Sequence, residues 1–187
     1  MSIKLECEDL EPLKIKCTTA ICDRDLHCFL PTRKVIQKGG GGPCRKCKSD
    51  LVDFSRTARR QLEDVEYTFA MLQRETIRAK FWRKPIDSIL LEKARMRGIS
   101  GIKGDALAIL AKKVGPKSKG TPWDSRGTPY DGDMIFLGQH ATATCCRRCI
   151  QEWHGIPDDR ELTVEEIKYF VDLIVQYIQR RLPNLWN

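Results

Sequence analysis

The chain has 187 residues, of which 41% are apolar and 31% charged, with nine cysteines, three histidines and a net charge of +8. That balance excludes a disordered polyelectrolyte, and no apolar run approaches the roughly 18 residues a membrane helix needs. The opening MSIKLECEDLEPLK is too charged for a secretion signal, so the expected location is cytoplasmic, where thiols stay reduced and an odd number of cysteines points to metal ligation rather than disulfides.

In chain order, residues 1–52 are expected to form a cysteine-rich module. Short extended pieces at Leu13–Cys17, His27–Leu30 and Arg33–Gln37 lead through the flexible GGGG at 39–42 into PCRKC. So few large apolar residues need a staple to hold one conformation. From Asp53 the pattern turns helical. Leu62, Val65, Phe69, Leu72 and Thr76 recur at three- and four-residue spacing, which predicts one long helix over about 53–82, stopped before Pro85. A second helix is expected over about 86–97, ended by Gly98, and a third over about 105–114, ended by Gly115-Pro116. These fill a basic helical region, 53–119.

Residues 115–133, rich in glycine and proline, read as a crossing loop, followed by MIFL (134–137) as a short buried strand. Thr163 and Glu166 make a capping box for a final amphipathic helix striped by Val164, Ile167, Val171, Ile174, Val175 and Ile178 and ending near Arg181. Residues 120–187 thus form a third region carrying a second cysteine cluster. The expected class is α+β but predominantly α-helical: a zinc-ribbon or treble-clef-like N-terminal module, then a helical domain with a second metal-binding knot.

Two groups of soft donors carry the chemistry. Cys17-x4-Cys22 and Cys44-x2-Cys47 have the layout of a tetrahedral zinc site, because a pair two residues apart lets a tight knuckle aim two thiolates at one ion. His27 and Cys28 lie between the pairs and are alternates for Cys17 or Cys22. The stretch GQHATATCCRRCIQEWHGIP at 138–157 holds the second group. On a helix Cys146 and Cys149 sit about 60° apart and Cys145 and Cys149 about 40° apart, so either pair can share an ion. The favoured set is His140, Cys146, Cys149 and His154, with Cys145 as alternate. Two zinc ions are therefore expected; the mixed donors suit zinc, while iron–sulfur ligation by the cysteines stays open.

The spacing does not fit a nucleobase deaminase, which needs His-x-Glu and a distant Pro-Cys-x-x-Cys. Nor does it fit covalent haem, since Ile150 follows Cys149 where a histidine is required. The wording Gln139-His-Ala-Thr-Ala-Thr-Cys-Cys-Arg-x-Cys149, followed by Trp153-His154-Gly-Ile-Pro157 and an acid-started helix, resembles the signature of a bacterial family of domains of unknown function. The resemblance runs over 121–182. Upstream, CTTAICDRDLHCF and GPCRKCKSDLVDF look like the longer members with an extra N-terminal cysteine module. It implies membership and metal binding, and no reaction.

Charge is uneven: residues 31–60 carry nine basic against two acidic side chains, 74–119 carry thirteen against four, and 151–187 carry four against seven. Basic zones suit phosphate-bearing partners. Arg45 and Lys46 in the first knuckle and Arg147 and Arg148 in the second are the expected contacts, with Trp82 and Trp123 as conceivable stacking platforms. The leading expectation is a zinc-binding, nucleic-acid-associated module without catalytic activity. The alternatives are a metal-dependent hydrolase centred on the second cluster, with Glu152 as base if only three ligands bind, and an adaptor docking through the acidic C-terminal helix.

Overall fold

A computed structural model describes residues 15–30, 41–117 and 127–186. Among the described residues seven α-helices follow in order: α1 Phe54–Thr57, α2 Val65–Leu72, α3 Thr76–Arg83, α4 Ser88–Ile109, α5 Met134–Ala141, α6 Arg147–His154 and α7 Val164–Arg181. Short 3-10 turns at Cys22–Arg24 and Leu62–Asp64 and a π turn at Leu110–Val114 complete them. The expected predominantly helical class is what is found, and the β content among the described residues is two isolated bridges, Ile21 with Leu26 and His27 with Glu75. The extended piece at Arg33–Gln37, the first two residues of Leu13–Cys17, Cys7, Trp123 and much of the crossing loop lie outside the described residues.

The centre is α7, packed against α4 and α5, with α5 also against α3. Its start is the expected capping box: Glu166 N–H donates to Thr163 Oγ1 at 3.2 Å and Thr163 N–H to Glu166 Oε2 at 2.9 Å. Its apolar stripe is buried from Ile167 to Ile178, with Val164 of the first turn exposed, and Tyr177 donates to the Phe81 carbonyl at 2.8 Å, closing the end of α3 onto it.

MIFL is helical, not a strand. A fully apolar run has no period to distinguish a buried strand from a helix buried all round, and the deciding signal is Asp133, whose carboxylate caps α5 by accepting from Ile135 N–H at 2.9 Å. Gly138 permits the close approach of α7: a Cβ there would lie 2.9 Å from Ile174 Cγ2.

The single helix expected over 53–82 is three helices. The first break follows α1, where Arg60 takes a left-handed φ of 55°. Arg60 donates to the His154 carbonyl at 2.7 Å and Thr57 Oγ1 to the Trp153 carbonyl at 2.6 Å, so the chain turns to tie down the end of α6. The second break, at 73–75, accepts His27: His27 N–H donates to the Arg74 carbonyl at 2.7 Å and Thr76 N–H to the His27 carbonyl at 2.9 Å. Tertiary bonds override a continuous helical period in both places. Gly98 interrupts α4 as a kink (φ 61°, ψ 174°) rather than a stop, and the helical path continues to Val114.

The N-terminal segment shares the helical core. Phe29 is fully buried and meets Trp153 edge-on at 6.0 Å, while Phe54 meets the same indole at 5.4 Å. Burying one such ring contributes roughly 1.5–3 kcal/mol, a substantial anchor for so core-poor a segment.

Candidate metal centres

The first centre is built from turns. The 3-10 turn Cys22–Arg24 ends at Asp25 in the left-handed region (φ 55°), and the chain doubles back so that Ile21 and Leu26 bond as a bridge. That reversal sets His27 beside Cys22. Across from them, Cys44–Cys47 forms a knuckle whose exit is Lys48 at φ 64°, with Lys48 N–H on the Cys44 carbonyl at 2.9 Å. Ligand atoms of Cys22, His27, Cys44 and Cys47 all lie within 4.8 Å of one another, including Cys22 Sγ to Cys44 Sγ at 3.8 Å and Cys47 Sγ to His27 Nδ1 at 3.4 Å.

The imidazole is held from behind. His27 Nε2 is 2.9 Å from Asp25 Oδ1, and Asp25 is itself forked by Arg74, Nε at 2.9 Å and Nη2 at 2.6 Å. A proton on Nε2, donated to that carboxylate, leaves the Nδ1 lone pair facing the sulfurs, which is the arrangement that supports a ligating histidine. Burial pushes the Cys44 thiol up, but backbone donors of Cys28, Cys47 and Lys46 outweigh it and bring the thiol to about 6. Ser49 lowers Cys47, whereas burial and the neighbouring thiols raise Cys22 to about 11.

Cys17 is not among these atoms. It is exposed, and it is its backbone carbonyl that faces inward, accepting from the buried Cys28 Sγ at 3.2 Å. His27, an alternate on sequence grounds, stands where Cys17 was expected, because the reversal at Asp25 puts residue 27 rather than residue 17 beside Cys22. Cys28 points the other way.

The second centre is built on a helix. Cys146 is the N-cap of α6 and Cys149 lies one turn along it, with their sulfurs 3.4 Å apart; Cys145 completes a group of three within 4.8 Å. Neither expected histidine joins them. His140, on α5, lies between the Phe81 ring at 4.4 Å and the Tyr130 ring at 4.7 Å, and its Nε2 is 2.9 Å from the Thr128 carbonyl. His154 is five residues past Cys149, about 140° around the helix. It faces Phe170 at 4.9 Å, with Nε2 2.9 Å from the Thr142 carbonyl. Burial lowers both imidazoles to about 4.

The group that does meet the sulfurs is Arg78. Fully buried on α3, it donates from Nη2 to Cys149 Sγ at 2.9 Å and from Nη1 to Cys145 Sγ at 3.6 Å and to the His140 carbonyl at 2.9 Å, while Nε donates to Glu75 at 3.1 Å. Glu75, also buried, accepts from Trp153 Nε1 at 2.9 Å. Glu152 lies one turn after Cys149 and is 2% exposed, yet neither carboxylate oxygen has a hydrogen-bond partner. Burial and the nearby Glu75 push its carboxyl well above the ordinary range. Around the thiols themselves, mutual contact and burial raise Cys146 to about 12 and Cys145 and Cys149 higher. A bound cation would favour the ionised thiolates that ligation needs.

Arg78 and Glu75 were missed from sequence, although a signal existed: an acid and a base three apart inside the stripe that buries Leu72, Ile77 and Phe81. Of the four cations expected to face a partner, Arg45, Lys46 and Arg148 are exposed. Arg147 is buried, its Nη2 donating to the carbonyls of Pro157 at 2.6 Å and Arg160 at 3.0 Å. Trp82 packs edge-on against Phe69 and Tyr177 and is no stacking platform.

Either centre could hold a metal ion, and none of the eight described cysteines is in a disulfide. No helix among the described residues is long and apolar enough to cross a membrane. The sequence model of a family described as a domain of unknown function, DUF4186, matches residues 66–179, a span that takes in the second centre and Arg78 but not the first. No solved structure matches the chain.

Proposed function

Since the chain belongs to the DUF4186 family, its match covering more than half of the sequence, we propose that it is a zinc-binding protein of a reducing, cytoplasmic compartment, with one zinc at Cys22, His27, Cys44 and Cys47 and a second at Cys145, Cys146 and Cys149. The observation that carries the reading is the first centre's donor set: three sulfurs and one imidazole nitrogen within 4.8 Å, with Asp25 behind the imidazole. Three thiolates and one histidine make a closed tetrahedral shell, the composition of a structural zinc site. Its role is to fix residues 15–30 and 41–50 against the α2–α3 junction.

Binding, not catalysis, is the chemistry these centres favour. The first leaves no position for water, and the second is buried with both neighbouring histidines directed through Nε2 to backbone carbonyls. Elemental analysis of the purified chain is expected to give about two zinc per molecule; a metal-free, fully folded preparation contradicts the reading.

A nucleic-acid role is a second reading, favoured by the exposure of Arg45 and Lys46 on one knot and Arg148 on the other. Phosphate contact through these three would make retention on DNA or RNA fall steeply with salt. Retention that is absent at low salt, or unchanged on raising it, removes this role and leaves zinc binding intact.

A further inference from the structure

The second centre offers three sulfurs, whereas a structural zinc ion takes four ligands. The donors around it are mostly spent: Nε2 of His140 and of His154 on backbone carbonyls, Glu75 on Arg78 and Trp153, and Cys28 on the Cys17 carbonyl. Two acceptor groups of α6 keep unpartnered buried atoms: His154 Nδ1, whose helical phase turns it about 140° from Cys149, and Glu152. Glu152 is 2% exposed with both oxygens unpartnered, a costly condition for a carboxyl group unless something else engages it. Its position on α6 is one turn beyond Cys149, the spacing at which two side chains share a helix face.

We propose that Glu152 is the fourth ligand of the Cys145–Cys146–Cys149 centre, making it a three-sulfur, one-oxygen site for a divalent cation of the zinc class. The inference rests on the reading of the three thiols as a metal site. The Glu152 carboxylate is not among the atoms of this centre that lie within 4.8 Å of one another, so ligation requires its side chain to rotate about its χ bonds toward the sulfurs, a movement no hydrogen bond opposes. Three thiolates and a carboxylate carry four negative charges against two on the ion. Arg78 offsets part of the excess: its guanidinium already donates to Cys149 and Cys145 and lies in the field of Glu152. Charge-assisted bonds from the guanidinium to thiolate would orient the ligands and favour their anionic form.

Cobalt(II), a spectroscopic stand-in for zinc, tests the assignment on the full chain. The unaltered protein is expected to bind two cobalt ions with tetrahedral absorption. Glu152→Gln should weaken the second ion at least about tenfold and shift its visible bands, while the unfolding temperature of the metal-free protein is unchanged or higher because a buried acid has been removed. Glu152→Cys should restore tight binding with stronger sulfur-to-cobalt charge transfer. Glu152→Gln protein that binds the second cobalt with unaltered affinity and spectrum overturns the role of Glu152 and leaves the metal centre standing. If instead Cys149→Ser leaves the cobalt stoichiometry at its original value, the metal reading of this centre itself falls.

Discussion

The two centres reach similar donor sets by opposite routes. The first is assembled from turns: two reversals, at Asp25 and Lys48, carry four ligands from within 26 residues to one point near the surface, and the imidazole is buttressed by the exposed Asp25–Arg74 pair. The second is assembled on the rigid N-terminus of α6, sunk in the core, and buttressed by the fully buried Arg78. The turn-built site would lean on a bound metal for its shape, beyond what the Phe29 anchor and the His27 bridge already hold. The helix-built site would keep its shape through packing, and its metal would answer mainly to the charges around it.

The largest effect that probes this contrast is expected from Arg78→Met. It leaves Glu75 buried without its ion partner and should cost about 3–5 kcal/mol of stability, read by denaturant unfolding, while weakening metal binding at the second centre only. Loss of metal from the first centre in the same variant would mean that the two are one coupled unit.

Cys44→Ser comes next. It should release one metal and render residues 15–50 sensitive to limited proteolysis, with the far-ultraviolet circular dichroism of the seven helices nearly unchanged. Unaltered resistance to protease would show that Phe29 and the His27 bridge suffice without metal.

Proton competition separates the centres more gently. At the second, all three thiols and the Glu152 carboxyl are raised, so each group that ligates must lose a proton to bind; affinity should drop by at least three powers of ten per unit fall in pH around neutrality. At the first, Cys44 lies at about 6 and Cys47 is lowered, while Cys22, at about 11, and the raised His27 must release protons, so the slope there should be shallower than at the second. Competition titrations with a chromophoric chelator at several pH values measure both slopes, and equal slopes would erase the distinction.

Much of this was legible in the chain. Thr163 and Glu166 announced α7, because a capping box is local chemistry that tertiary context seldom overrides. The Cys-x-x-Cys pairs were legible for the same reason: ligand spacing is a property of one turn. What stayed hidden depends on contacts across the fold. The broken helix over 53–82 is set by bonds from Arg60 and Thr57 to the end of α6 and from His27 to residues 74 and 76, none visible in a periodicity. His140 and His154 looked like ligands by proximity in sequence, yet helical phase turns His154 away and aromatic stacking claims His140. Arg147 looked like a surface cation, and its guanidinium instead ties down the loop after α6.

The smallest effects concern the surface. Lys46→Ala and Arg148→Ala should each lower the salt slope of any nucleic-acid retention by roughly one and change stability by less than about 0.5 kcal/mol. Arg147→Ala, by contrast, should act on stability and not on the salt slope. The reverse pattern would place Arg147 outward and undo the reading of that loop.

The central claim is that the chain holds two separate metal centres, and native mass spectrometry of four proteins tests it most directly. The unaltered chain should carry two zinc ions, Cys44→Ser one and Cys149→Ser one, with the double variant carrying none. The same metal count in all four, or complete loss of metal from either single variant, would contradict it.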